Sequence, residues 1–359
     1  MNKILMYILA AGVLLGGIDQ LSGNKRGYGK CLEEGFMLMG PTALSMVGML
    51  CLIPLISAGF RSFIVPFFSL TGADPSVLGG LLAIDMGGYQ LAKDLAENPV
   101  VGSYAGVLIS ATFCCTLVFT IPVGMEIVEE KDRGAFAKGI LTGLAALPAG
   151  LLAGGLLCGL SFLEVFWNSM PIFILSLLLG LGLKFFPDGM MTGFRIFAKG
   201  MKLLITLGLL LGALSYFLKQ NLIPGLAPIE DALAVVASIG ITMLGSLPLA
   251  EFLRRLMRKP FRKLGHRFGL NETSVSGLMI GMVSPIPQLT SMKDMDSVGK
   301  VANTAFSVSA ASALAAHAGF TLSVEPNIVG ALLTAKVTGA LAALAAVLLL
   351  QKKKEVKKR

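Results

Sequence analysis

The chain has 359 residues, of which 55% are hydrophobic and 14% charged, with a mean hydropathy of +0.78. Soluble domains carry about 25% charged residues, so the composition excludes a water-soluble fold and points to an all-α polytopic membrane protein. The net charge of +9 would suit nucleic acid in a soluble protein. Here the basic residues cluster in loops and in the tail KKKEVKKR (352–359), where retention on the cytoplasmic side and contact with anionic lipid account for them. No nucleic-acid partner is expected.

Apolar segments run near 4–21, 36–60, 76–95, 100–126, 137–162, 168–186, 197–218, 231–250, 273–291, 299–322 and 327–350. The first follows Lys3 and resembles a secretory signal, but no A-x-A-like site ends it, so 1–29 is expected to hold the first span. Two segments are interrupted. The third contains Asp85-Met-Gly-Gly, and the ninth reads SPIPQLTSMKD (284–294) with Pro285 and Pro287. Broken backbone at membrane depth is tolerated only where protein or a water-lined site receives it. The pairs Gly150/Gly154 and Gly155/Gly159 predict close helix packing. The five cysteines read as buried small residues, and no metal site or cofactor is expected.

The interrupted segments resemble each other. SVLGGLLAIDMGGYQL (76–91) set against SVSGLMIGMVSPIPQL (274–289) matches Ser76/Ser274, Val77/Val275, Gly79/Gly277, Gln90/Gln288 and Leu91/Leu289. Further on, Lys93-Asp94 meets Lys293-Asp294, and Val101-Gly102 meets Val298-Gly299. The reading is two repeats, 30–162 and 190–350, joined by a helix in 163–189 and followed by the basic tail 351–359.

Counting charge selects a topology. If all eleven segments cross, Lys and Arg outside the spans divide 16 to 13. If 76–95 and 273–291 dip in and return, 25 lie on one side and only Lys3, Arg61, Lys93 and Lys219 lie opposite. The positive-inside rule favours the second arrangement. It gives about nine spanning helices, two re-entrant segments, a cytoplasmic C-terminus and inverted repeats, as in secondary transporters with a site at the repeat interface.

Asp85 is the leading site candidate, because an ionisable residue in an apolar run is costly and usually functional; an ion pair with Lys336 is the alternative. Gly87 and Gly88 permit a tight turn with exposed carbonyls. Gln90 and Gln288 could hydrogen-bond a ligand or glue helices. Glu33 and Glu34 precede a span and suit a helix N-terminus. Asn303, Ser307 and Ser309 line the span after the second break, and His317 could relay a proton, bond a ligand or sit satisfied in the core. Tyr89, Phe36 and Phe119 could face a cation or simply pack. There is no Walker motif, G-x-S-x-G or zinc motif, so ATP hydrolysis by this chain has no support.

EEGFMLMGPTALSMVGM (33–49), LLAIDMGGYQLAKDLA (81–96), GLKFFPDGMMTGFRIFAKG (182–200), MKDMDSVGKVANTAFSVSAA (292–311) and HAGF (317–320) resemble the ethanolamine transporter family of ethanolamine utilisation operons over nearly the whole chain. The resemblance implies import of ethanolamine across the bacterial inner membrane. Asp85 would then meet the ammonium, with Gln90, Asn303 or a serine on the hydroxyl. The chain departs from the family pattern at Ser284-Pro285 and at Ala315-Ala316. A related amine or polyol therefore stands as the alternative substrate, with a channel or a membrane enzyme acting on amino-alcohol headgroups as alternative functions. A homo-oligomer is left open.

Overall fold

The computed structural model describes residues 2–82, 88–267 and 269–358. No strand occurs among them. Among the described residues, seven helices are long and apolar enough to cross a membrane: Tyr28–Gly59, Pro99–Ile127, Glu130–Leu157, Phe162–Gly182, Thr192–Leu218, Ile229–Pro260 and Pro326–Gln351. A shorter apolar helix, Met6–Leu21, lies within α1 (Asn2–Leu21).

In chain order, α2 (Tyr28–Met37) leads almost directly into α3 (Met39–Thr71), which Gly72 ends in a left-handed conformation. Two short helices follow, α4 (Ser76–Leu82) and α5 (Gly88–Leu95), and fold against each other. Helix 99–127 begins as α6 (Pro99–Ser103), widens to π-helical turns over Tyr104–Cys114 and Thr116–Thr120, and ends as α7 (Ile121–Ile127). It is the most buried of the long helices and forms the centre of the main apolar core.

Helices α8 (Arg133–Leu157), α9 (Phe162–Phe185), α10 (Pro187–Leu218) and α11 (Ile229–Arg267) come next. Ser161 and Glu164 form a reciprocal capping box that starts α9. α9 and α10 show Phe162, Phe166, Phe173, Leu203 and Leu210 on the outside, a greasy rim suited to acyl chains. A second hairpin of α12 (Glu272–Gly281) and α13 (Pro285–Thr290) precedes α14 (Ser297–Ala310), α15 (Ala316–Val324) and α16 (Val329–Lys358).

Small residues set the closest approaches. A Cβ at Gly150 would run into the Ala335 carbonyl and Gly339, so α8 and α16 meet backbone to backbone there. Gly154 and Gly155 are also packed, as the spacing predicts, but Gly159 has a φ of +92° with open space around it. It turns the chain into α9 rather than packing a helix.

Each hairpin is closed at its base by an acid and an asparagine. In the first, Asp74 accepts from the N–H of Ser76 at 2.8 Å, Glu97 at 3.1 Å and Asn98 at 2.8 Å, and Asn98 caps α6. In the second, Asn271 caps α12 while Asp296 caps α14 and accepts from the Ser274 hydroxyl at 2.6 Å and the Asn271 N–H at 2.9 Å. Burial opposes ionisation of Asp296, yet the Ser274 hydroxyl and the N–H groups of Asn271 and Gly299 hold its carboxyl below the ordinary range. The order is swapped: the acid enters the first hairpin and leaves the second.

The span expected at 299–322 is interrupted. α14 stops at Ala310, Ser312 takes a φ of +54°, and α15 resumes at Ala316. The freed groups find partners. Ser312 and Leu314 donate to the carbonyls of Gly281 and Met282 at the turn of the second hairpin, at 3.0 and 2.9 Å. Ala and Ser carry no helix-breaking signature, so the sequence conceals this break.

Candidate functional site

The break between α14 and α15 faces the π-helical turns of 99–127. Lys336 of α16 is fully buried, and its Nζ donates to the carbonyls of Ala111 at 2.6 Å, Ser309 at 3.0 Å and Ala311 at 3.0 Å. A single ammonium thereby collects backbone oxygens from both distorted helices. His317 is also buried, with Nδ1 at 2.9 Å from the Ala311 carbonyl. A carbonyl only accepts, so Nδ1 carries the proton and the Nε2 of a neutral ring is an acceptor. Thr116 Oγ1 donates to the Val308 carbonyl at 3.1 Å, a further bond between the two helices.

Beside this lies a narrow internal space lined by Gly106, Ser110, Ala111, His317, Phe320 and Thr321. No point in it is wide enough for a water molecule. Gly106 has a specific role: a Cβ would press on Tyr89 Cα at 2.8 Å and its carbonyl at 3.0 Å, so only glycine lets α5 lie against the π-helix.

A second set of polar side chains joins the second hairpin to α14. Gln288 Nε2 donates to Asn303 Oδ1 at 3.0 Å, and the Ser307 hydroxyl donates to Gln288 Oε1. Asn303 Nδ2 donates to the carbonyls of Ser274 and Gly299, both at 2.9 Å. The structure therefore brings Gln288, Asn303 and Ser307 together, engaged with one another and with backbone. Gln90, the repeat counterpart of Gln288, instead sits on an exposed face and donates to Asp94 at 3.1 Å. Glu34 is exposed on α2, which packs against α1 and α11. Gly88 is buried at the start of α5. Asp85 and Gly87, and with them the expected Asp85–Lys336 pair, lie outside the described residues.

Tyr89 leads to a cluster that sequence reasoning missed. Its hydroxyl donates to Glu325 Oε2 at 2.6 Å, and the Ser103 hydroxyl lies 3.3 Å from the same oxygen. Lys93 Nζ donates to Ser103 at 3.0 Å and lies 3.6 Å from Glu325. The Tyr89 ring meets Phe320 edge-on with centroids 5.9 Å apart, which links the cluster to the internal space. Glu325 follows α15 in a short connection. An acid next to Pro326 was the one available signal, and it reads as a loop residue.

Lys300–Asp132 at 2.6 Å, Arg262–Glu272 at 2.6 Å and the Arg255 guanidinium on the Arg26 carbonyl at 2.8 Å gather the basic loops. Lys93–Glu325 and the bond from the Asp74 N–H to Asn168 Oδ1 at 2.7 Å involve none of those loops.

Comparison with known proteins places the chain. Residues 1–350 match the profile of the ethanolamine utilisation protein EutH family. The chain belongs to that family. A probable ethanolamine permease EutH of Listeria monocytogenes is 38% identical over 96% of this chain and 92% of its own length. A protein of the same description from Escherichia coli is 36% identical over 99% and 96% respectively. The uncharacterised protein YxeR of Bacillus subtilis is 37% identical over 96% and 94%. No solved structure matches. Family membership and the long apolar helices together make this a multi-pass membrane protein of a permease family, not of an enzyme family.

Proposed function

We propose that this protein is a secondary transporter or facilitator that imports ethanolamine, as a protonated amino alcohol, across the inner membrane. The observation that carries the reading is the buried polar centre around Lys336 and His317, where two distorted helices surrender backbone carbonyls beside an internal space. Irregular backbone of this kind inside a membrane protein is characteristic of ligand and ion sites. The permease names of the relatives supply the substrate.

In this reading nine helices cross: the seven long apolar helices, α1, and the interrupted α14–α15 pair. The hairpins at 76–95 and 273–291 are re-entrant, and the repeats 30–162 and 190–350 are inverted. Contacts between loops support it. If all eleven segments crossed, Arg26 would lie opposite Arg255, Lys300 opposite Asp132 and Lys93 opposite Glu325, yet each pair touches. The basic loops then face the cytoplasm with the tail.

Within this frame Asp85, Gly87, Gly88 and Tyr89 come from the first hairpin, and His317 and Lys336 from the second repeat. Asp85 answers the substrate ammonium, because a cation at membrane depth needs a carboxylate or equivalent acceptors. Gln288, Asn303 and Ser307 hold the second hairpin to α14. Glu34 and Gln90 stand outside the centre in this state.

Counterflow tests the proposal. Proteoliposomes preloaded with unlabelled ethanolamine and diluted into a trace of labelled ethanolamine should show a transient overshoot of label at mildly acidic pH. An accumulation that never exceeds equilibration would favour a channel, and no protein-dependent entry would remove ethanolamine as the substrate.

A further inference from the structure

We propose that the Glu325 carboxylate, with the hydroxyls of Tyr89 and Ser103 beside it, is a docking site for the ammonium of a small primary amine, and that Lys93 is a tethered ammonium which the incoming amine displaces. The inference rests on the transport reading and adds a recognition step ahead of the buried centre.

Glu325 Oε2 accepts from the Tyr89 hydroxyl at 2.6 Å, lies 3.3 Å from the Ser103 hydroxyl, which shares its proton with the Pro99 carbonyl at 3.2 Å, and is 3.6 Å from the Lys93 ammonium. The Lys93 head group is itself a primary alkylammonium, so a pocket that accepts it accepts the same group on a small free molecule. The Tyr89 ring, 6.0 Å from Lys93 Nζ, adds the attraction of an aromatic face for a cation. The side chains of Lys93 and Glu325 are 29% and 25% exposed, so solute can reach them. Replacing one monovalent ammonium by another leaves the charge at Glu325 unchanged while Lys93 swings into water.

The cluster also adjoins the internal space. Phe320 packs edge-on against Tyr89 and lines the internal space together with Ser110, His317 and Thr321. A docked amine is therefore one aromatic side chain away from the buried centre.

A second lysine–acid pair supplies the contrast. Asp132 follows helix 99–127 as Glu325 follows the α14–α15 pair, and each acid is held by a lysine from the other half of the chain. Lys300–Asp132 is tight and nearly dry, at 2.6 Å with side chains 13% and 8% exposed. Lys93–Glu325 is longer and wetter, which suits exchange rather than permanent closure.

The test uses initial rates of ethanolamine uptake by reconstituted full-length protein: wild type, Lys93→Gln, Glu325→Gln and the double swap Lys93→Glu/Glu325→Lys. Exposed ion pairs are weak, so Glu325 is already free part of the time, and removing its competitor lowers KM about two- to sixfold. Glu325→Gln raises KM, and the swap does not recover uptake even though it restores an ion pair. A structural pair predicts otherwise: both single variants impair in the same direction and the swap rescues. Either of those results overturns the proposal. Lys93→Met serves in place of Lys93→Gln if the latter fails to fold. Calorimetric binding of methylammonium chloride to the purified protein separates the two claims. Tighter binding by Lys93→Gln, with no ethanolamine uptake by wild type, keeps the docking site and overturns the transport reading. Methylammonium binding unchanged or lost in Lys93→Gln overturns the docking site.

Discussion

Lys300 Nζ donates to Asp132 Oδ1 at 2.6 Å, joining the first turn of α14 to the start of α8. Asp132 is 6% exposed, and its second carboxylate oxygen is buried without a hydrogen bond. Lys300→Ala would leave that carboxylate buried and uncompensated, at a cost of about 3–5 kcal/mol. A thermal melt in detergent should therefore show a large fall for Lys300→Ala. The double change Lys300→Met/Asp132→Leu should recover most of it, because removing both charges removes the penalty. Equal losses in single and double variants would refute this account of the pair.

Asp296 gives a pH-dependent contribution. Its carboxyl is held below the ordinary aspartate range in the folded protein, so its stabilisation is present above that range and is lost as pH falls through the folded value. Asp296→Ala removes the cap of α14 and should cost about 1 kcal/mol at neutral pH. The gap between melts of wild type and variant should narrow as the pH falls below the ordinary aspartate range. A gap that stays constant through that fall would show that the charge on Asp296 contributes nothing.

Lys336→Met keeps the length of the side chain but leaves the Ala111, Ser309 and Ala311 carbonyls without their ammonium donor. Ala311 keeps the His317 donor, but a buried acceptor left without one costs about 1–3 kcal/mol, enough to rearrange the break at 311–315. Uptake should be abolished. Lys336→Arg should not rescue it, because a planar fork cannot point at three carbonyls arranged around a point charge. Full activity in Lys336→Arg would count against that geometry.

Gly106→Val is expected to push α5 off the π-helix, because its Cβ would meet the Tyr89 backbone. Overpacking of this kind costs about 1–3 kcal/mol. The variant should express at reduced yield and lose uptake, whereas Gly134→Ala, where the added Cβ meets nothing, should retain both.

Helix class and the positions of the two interrupted segments were legible because they rest on hydropathy and Gly/Pro chemistry, which act locally. The break at 311–315 was not legible. Its cause is a lysine on α16, a histidine one turn further on and a hairpin turn that accepts the freed N–H groups, all brought in by tertiary structure. Gln90 and Gln288 matched in sequence, yet one is exposed and the other buried, since alignment fixes register along a helix but not the neighbours on its face. Glu325 escaped for the same reason: only folding brings it to Tyr89 and Lys93, more than two hundred residues earlier in the chain.

The most direct test of the central claim is the initial rate of labelled ethanolamine uptake into proteoliposomes, wild type beside Asp85→Asn and protein-free vesicles. A mildly acidic buffer keeps the amine charged, so that leakage of the neutral form through lipid stays low. The account predicts saturable uptake by wild type and its loss in Asp85→Asn. Uptake by wild type no faster than in protein-free vesicles would contradict it.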